Sequence, residues 1–590
     1  MAVTRLFDLL ENYQANYAWK QDAFADKVNG EWKKVAATTF IETVNQVSYG
    51  LKAMGFKPGD KIATLSNNRS EWNFLDLGMM QAGGIHVPIY PTISETDLQF
   101  ILKDAEVKYI IVSNADLYQK ALRASKDLPQ VQDIFSFEDN TGAKSWREIT
   151  AMGSRNPDPE GIKAICATIK ADDLATLLYT SGTTGVPKGV MLSHNNIISQ
   201  IISCQNLAPV TPQSRALSFL PLNHVYERVL CYLYIYLGVS VYYAESIEKV
   251  ADNLKEVKPE MFGCVPRLFE KVYDRIVSKG AELTGIKKKL FFWALDLGLK
   301  YETNGANGWW YEQQLKLARK LIFSKWQEAL GGQVKAAVSG GAALQPRLAR
   351  VFWAAGIPIL EGYGLTETSP VVAVNTLEAV GLRFGTVGKT IKDVTVRIAE
   401  DGEILCKGPN LMLGYYKRPD LTAEVIDSEG WFHTGDIGVF EEGVYLKITD
   451  RKKEIFKTSG GKYIVPQHIE NMLKESRFIE QVMVIGENQK FAAAIIVPAF
   501  VFLQEWCNRK EIPYTDNASV IKNERVIARI QKEVDAINAR LGNFEQIKKF
   551  ILLPREWSID NGELTPKLSL KRRVIAQQQD AAIQQLYSEK

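Results

Sequence analysis

Thr180, Ser181, Gly182, Thr183, Thr184, Gly185, Pro187, Lys188 and Gly189 crowd hydroxyls, glycines and a cation into one short stretch. Glycines let a backbone approach a ligand closely and turn several N–H groups the same way. The hydroxyls add donors and Lys188 adds positive charge, which together suit a polyphosphate cradle. The spacing is not that of the Walker loop, because no Gly-Lys-Ser/Thr closes it. Elements that would hold the loop are legible on both sides. The apolar run at 174–179 reads as a buried strand, and Ser193 reads as the N-cap of a helix starting near His194. A Gly/Thr-rich surface turn is the ordinary alternative, and the density of donors argues against it.

The bulk properties narrow the classes. A chain of 590 residues exceeds what one hydrophobic core supports, so two or more domains are expected. The 71 basic and 68 acidic side chains nearly cancel, leaving no global field suited to nucleic acid. Cysteines 166, 204, 231, 264, 406 and 507 are scattered without a Cys-x-x-Cys pair. That pattern fits a reduced cytosolic protein better than a disulfide framework or a zinc site. Histidines 86, 194, 224, 433 and 468 are dispersed too, so a protein-held transition metal is not expected. The opening Met-Ala-Val-Thr-Arg is unlike a signal peptide. The longest apolar run, 229–244, contains Gly238 and Ser240 and falls short of a membrane span, reading instead as a helix followed by a strand at 239–243. The expected location is cytoplasmic, at most peripheral to the inner face of a membrane.

From about residue 60 to 390, short apolar runs alternate with amphipathic segments. Strands are expected at 61–66, 85–88, 109–112, 216–220, 239–243, 261–265, 336–339 and 358–360. Separation by helices implies an α/β fold with two mostly parallel sheets covered on both faces. Between 380 and 450 the strands shorten and glycines multiply, as in a small β-barrel or antiparallel unit. After Lys453 the pattern changes to α+β, with a hairpin at 481–485 and 492–497, a long helix at 520–541 and a strand at 549–553.

Further motifs follow the first in a fixed order. They are Glu361-Gly362-Tyr363-Gly364-Leu365-Thr366-Glu367, Gly430-Trp431-Phe432-His433-Thr434-Gly435-Asp436, Asp450-Arg451-Lys452-Lys453-Glu454 and Gly460-Gly461-Lys462-Tyr463-Ile464. With the Ser-Gly-Thr-Thr-Gly-x-Pro-Lys-Gly loop, this set resembles the adenylate-forming, AMP-binding ligases over nearly the whole chain. Val225-Tyr226-Glu227-Arg228, Val265-Pro266-Arg267-Leu268-Phe269-Glu270 and Gly562-Glu563-Leu564-Thr565-Pro566 resemble its long-chain fatty acid:CoA ligase branch. The resemblance implies a large N-terminal part, 1–452, which binds nucleotide and fatty acid, and a small mobile C-terminal lid, 453–590, hinged near Lys453.

It also implies roles. Thr180, Ser181, Thr183, Thr184 and Lys188 would meet the β- and γ-phosphates, with Gly182 and Gly185 in the same loop. Thr366 would touch the α-phosphate and Glu367 would hold Mg²⁺. Tyr363, with Gly364 beside it, would pack on the adenine, and Gly341 and Ala342 would form the backbone wall next to the base. Asp436 would accept the ribose hydroxyls, Arg451 would sit by ribose and phosphates, and His224 would stand beside the reacting carboxylate. The lid lysine of the family falls on Ser569 here. Lys567 is the favoured substitute, as a new charge appearing where the usual one is lost; Lys571 and outright loss of the lysine are the alternatives.

The activity implied is ATP-dependent conversion of a long-chain fatty acid to acyl-AMP, then to acyl-CoA, with ATP, Mg²⁺ and coenzyme A as cofactor and co-substrates. A fatty acyl-AMP ligase serving a separate carrier protein, or a non-catalytic fatty-acid carrier, are the other readings. One segment, 286–330, sets Lys287, Lys288 and Lys289 before Leu290, Phe291, Phe292 and Trp293, with Trp309, Trp310, Tyr311 and Trp326 following. Its aromatics could rest on an anionic membrane, or be buried against the main domain or in a homodimer.

Overall fold

The computed structural model describes residues 3–181, 186–558, 561–564 and 570–588. Apolar runs such as Tyr109–Val112 are buried at every position, because helices cover both faces of the sheet they join. Lys61–Leu65 pairs in parallel with Ile85–Ile89 on one side and with Tyr109–Val112 on the other. Asp133–Ser136 and Lys144–Ser145 extend that sheet outward. On its far side Ile85–Ile89 meets Leu174–Ser181, which folds back antiparallel on Pro187–Ser193, and Gly414–Tyr415 closes an eight-stranded sheet.

The second sheet has nine strands. Its centre is parallel: Ile359–Gly364, Ala336–Ser339, Met261–Cys264, Arg215–Ser218, Ser240–Tyr243 and Phe24–Val28, in that spatial order. Antiparallel pairs finish both edges, with Val371–Val374 and Lys389–Thr390 at one and Glu31–Val35 at the other. The N-terminal hairpin Phe24–Val28/Glu31–Val35 was not expected. Its turn is Asn29-Gly30, both at positive φ (53° and 81°), the pair that a tight two-residue hairpin favours.

The expected small barrel takes the form of a four-stranded antiparallel sheet, Thr395–Ile398, Glu403–Lys407, Phe432–Glu441 and Tyr445–Arg451. In the C-terminal part Ile479–Ile485 and Ala493–Pro498 form the expected hairpin, and Lys549–Leu552 joins it in parallel. The expected long helix at 520–541 is two helices, Asn517–Val520 and Glu524–Asn538. Asn523 separates them, its side chain accepting the Arg525 N–H and so starting a new helix.

The helix Val225–Leu237 lies between the two large sheets, and all but its second and last two residues are buried. Such burial explains why the sequence is apolar all round. Its one buried cation, Arg228, is fully paired. The guanidinium meets Asp76 at 2.6 Å, the Thr176 hydroxyl at 2.8 Å and the Tyr232 hydroxyl at 2.8 Å, and His86 closes on Asp76 at 2.6 Å. Burial alone would raise the Asp76 carboxyl; Arg228 and His86 outweigh it and hold the group below its ordinary range. The cluster ties the helices Ser70–Gln81 and Val225–Leu237 to the strands Ile85–Ile89 and Leu174–Ser181 of the first sheet.

Candidate active site

A cavity of about 680 Å³ opens between the two sheets, and the C-terminal part reaches its rim with Leu564 and Lys571. One arm is apolar. Ile201 and Cys204 of the helix His194–Cys204 face Val229, Leu230 and Leu233, with Met261, Val338 and Leu360 from the second sheet beyond. The other arm is polar, lined by Thr180, Gly341, Tyr363, Gly364, Thr366, Glu367 and Arg451. His224 lines the same cavity.

Local structure accounts for each position. Ser193 caps the helix His194–Cys204, its hydroxyl accepting the Asn196 N–H at 3.1 Å while Asn196 returns a bond to the Ser193 N–H at 2.9 Å. The phosphate loop expected over 180–189 is narrower than that. Thr180 and Ser181 still belong to one strand, and Pro187, Lys188 and Gly189 already belong to the next, with Thr180 opposite Lys188. Gly182, Thr183, Thr184 and Gly185 lie outside the described residues, as do Lys567 and Ser569.

His224 caps the helix Val225–Leu237, its Nδ1 accepting the Tyr226 N–H at 3.0 Å. An accepting Nδ1 fixes the ring proton on Nε2, so the imidazole offers a donor at that edge. Tyr226 lines the cavity too, and its hydroxyl donates to the Val338 carbonyl at 2.8 Å.

The strand Ile359–Gly364 runs further than the expected 358–360 and carries Tyr363 and Gly364 to the cavity floor. A side chain at 364 would collide with the Pro370 carbonyl oxygen at 1.6 Å, so only glycine fits. The short turn Thr366–Thr368 follows, with Thr366 buried and Glu367 half-buried. Tyr363 donates to Asp436 at 2.7 Å, and the Arg451 Nε meets the other Asp436 oxygen at 3.3 Å. Burial raises the Asp436 carboxyl, against the pull of Arg451 and the Tyr363 hydrogen bond. The Tyr363 hydroxyl is itself pushed far up by burial and by Asp436. Thr434 completes the corner, its hydroxyl donating to the Ile404 carbonyl at 2.7 Å and accepting the Asp436 N–H at 3.1 Å.

Tyr415, which no sequence motif singles out, joins the site. Tyr415 donates to Glu367 Oε1 at 2.9 Å, and the Lys188 ammonium lies 5.1 Å from the centre of its ring. Thus Lys188 and Glu367, far apart in the chain, meet on one tyrosine. Glu563 is buried and held by Arg555 at 2.7 Å. Leu564 and Leu570 then pair across the segment between them.

Of the expected site residues, Thr180, His224, Gly341, Tyr363, Gly364, Thr366, Glu367, Arg451 and Lys571 line one cavity. Asp436 and Lys188 join it through Tyr363, Arg451 and Tyr415 rather than by lining it. Ala342 is exposed beside Gly341 and stands outside the lining, and Lys453 is exposed outside it. Among the described residues no three His, Cys, Asp or Glu side chains gather as a metal cage. A lone carboxylate such as Glu367 beside a triphosphate suits Mg²⁺, which takes one or two protein oxygens and fills its shell with phosphate and water.

Comparison with known proteins places the whole chain in one family. Residues 11–416 match the AMP-binding enzyme family, and residues 453–590 match the AMP-binding enzyme C-terminal domain. The chain belongs to this family. It is 33% identical over 569 residues to the long-chain-fatty-acid–CoA ligase FadD15 of Mycobacterium bovis, spanning 95% of this chain and 93% of that one. To the long-chain-fatty-acid–CoA ligase ACSBG2 of Xenopus laevis it is 30% identical over 627 residues, spanning 100% and 84%. The fold is shared with the Mycobacterium tuberculosis fatty acyl CoA synthetase, with a TM-score of 0.64, 22% identity and coverage of 98% and 99%. It is shared too with the A domain of a carboxylic acid reductase from Segniliparus rugosus, at 0.76, 20% identity and coverage of 99% and 94%.

Proposed function

We propose that the protein is an AMP-forming long-chain fatty acid:CoA ligase. A fatty acid carboxylate attacks the α-phosphorus of ATP, pyrophosphate leaves, and acyl-AMP results. The CoA thiolate then adds to the acyl carbonyl and AMP departs. The observation that carries this is the continuity of the two arms. An acyl chain lying among Ile201, Val229, Leu233 and Met261 would present its carboxylate at His224, next to Thr366 and Glu367.

Each side chain then has a task. The Nε2 proton of His224 can hold the incoming carboxylate. Thr366 can donate to the α-phosphate, and Arg451 can offset charge beside ribose and phosphate. The Asp436 carboxylate, oriented by Tyr363 and Arg451, is a bidentate acceptor for the ribose hydroxyls. Mg²⁺ held by Glu367 would neutralise phosphate charge as the pyrophosphate leaves. Each methylene buried in the apolar arm is worth about 0.8 kcal/mol, enough for arm length to set chain-length preference.

The division at Lys453 into body and lid belongs to the same proposal. Support comes from Lys453 being exposed just after the strand Tyr445–Arg451 ends, and from the lid meeting the body through ion pairs. Arg267 pairs with Glu480, and Lys571 lines the cavity from the lid side. That position of Lys571 supports it as the lid cation, although Lys567 was favoured from sequence. Fatty-acid-dependent ATP–pyrophosphate exchange tests both points. The wild type should catalyse it without CoA. Lys571→Ala or Lys567→Ala, whichever removes the lid cation, should abolish exchange and spare thioester formation from preformed acyl-AMP. Full exchange in the double variant would refute a lysine in that role.

A further inference from the structure

The helices Gly285–Leu299 and Trp309–Ala318 pack against the second sheet and its helix Pro346–Ala354, and they show two characters. Inward lie Phe291, Leu295, Tyr311 and Leu315, with the Tyr311 hydroxyl donating to the Leu297 carbonyl at 2.7 Å. Burial against the main domain therefore accounts for these aromatics, and for Trp326. It does not account for the outward arc. Trp309 and Trp310 are 72% and 68% exposed, Leu317 and Leu321 50% and 43%, and Ile286 76%. Helical spacing explains part of the grouping, since residues 310 and 317 recur on one face of Trp309–Ala318 with Lys316 beside them, and the π-helical turn Arg319–Phe323 that follows carries Lys320 and Leu321.

Charge is as uneven as polarity. Residues 285–325 hold eight Lys or Arg against three Asp or Glu, a surplus of five where the whole chain has +3. Two of the three carboxylates are already engaged, Asp296 by Lys300 at 2.7 Å and Glu302 by Arg350 at 2.8 Å. Among the described residues Lys287, Lys288, Lys289, Lys316, Lys320 and Lys325 are all exposed, and none forms an ion pair.

We propose that this face seats the protein on an anionic lipid surface. Exposed tryptophans with leucine and isoleucine suit the boundary between headgroups and acyl chains, and lysine stems can lie along it while their ammonium groups reach phosphate. A second copy of this chain fits the face poorly, because a two-fold contact would press the two lysine sets together. No cavity-lining residue falls within 285–325, so membrane seating and turnover are separable.

Flotation of the full-length protein with vesicles tests the proposal. With about 30 mol % phosphatidylglycerol in phosphatidylcholine at low salt, binding should exceed that to pure phosphatidylcholine about tenfold or more. Raising salt to about 0.5 M should release it. The Trp309→Ser/Trp310→Ser variant and the Lys287→Glu/Lys288→Glu/Lys289→Glu variant should each lose about tenfold in binding. Both should keep wild-type thermal midpoint and wild-type turnover without vesicles, because every altered side chain is exposed. Absence of wild-type flotation, or equal binding by the tryptophan variant, would overturn the proposal. So would a wild-type dimer, measured by light scattering, that the tryptophan substitutions convert to monomer.

Discussion

The hydroxyl of Tyr363 donates to the carboxylate of Asp436 at 2.7 Å, joining the floor of the second sheet to the four-stranded sheet next to it. The bond fixes the orientation of the group assigned to the ribose. Asp436→Asn should therefore raise the KM for ATP by about tenfold or more, the size of a lost charge-assisted pair. Tyr363→Phe should raise it less. Because the two side chains share one bond, the double variant should fall well short of the product of the single effects. Independent effects in that cycle would separate Tyr363 from ribose binding.

Tyr415 bridges Glu367 and Lys188, so it should tune both. Glu367→Gln is expected to leave the fold intact and reduce kcat by about 10²-fold, typical of lost transition-state charge stabilisation. Tyr415→Phe keeps the ring beneath Lys188 and loses only the hydroxyl, so its loss should stay within about tenfold. Tyr415→Leu should cost more than Tyr415→Phe, and a Mg²⁺ titration of each variant shows whether Glu367 has been misplaced. Equal rates for all three proteins would remove Tyr415 from the site.

Glu227 supplies a pH test. Its carboxyl is buried in the helix Val225–Leu237 with Oε2 unpartnered, and burial pushes it up to about 8 from 4.5. Between those values the folded chain keeps a proton that the unfolded chain releases, so stability falls as pH rises, by at most roughly 1.4 kcal/mol per unit. Glu227→Gln should remove that contribution to the slope, leaving others such as the one from Glu361, which burial also pushes up to about 8. The variant's thermal midpoint relative to wild type should climb from about pH 5 to about pH 8 and then level off. Parallel midpoint curves would show that Glu227 is not protonated in the folded state.

How much of this could be read in advance follows from the range of the interactions. The alternation of apolar runs fixed both parallel sheets, because strands buried on both faces must be apolar throughout. The hairpin at Asn29-Gly30 is also written locally, in a pair that favours a tight two-residue turn. Tyr415, by contrast, carries no local sign of its role. Its partner Glu367 and its neighbour Lys188 come from other elements, and only the closing strand Gly414–Tyr415 brings the three together. The cluster of Asp76, His86 and Arg228 was hidden for the same reason. Each residue alone is an ordinary charged side chain in an apolar stretch.

The pivot at Lys453 should respond to backbone restriction. Lys453→Pro fixes φ near −65° at a residue exposed outside both the strand before it and the cavity. Separate assays of pyrophosphate exchange and of thioester formation should find one half-reaction preserved and the other reduced sharply. Wild-type rates in both would move the pivot elsewhere.

The most direct measurement is the identity and stoichiometry of products from Mg·ATP, a long-chain fatty acid and CoA. Chromatography should recover AMP, pyrophosphate and acyl-CoA in equal amounts, with AMP formation dependent on the fatty acid. ADP and free phosphate as primary products, or AMP released with no CoA consumed, would contradict a fatty acid:CoA ligase acting through an acyl-adenylate.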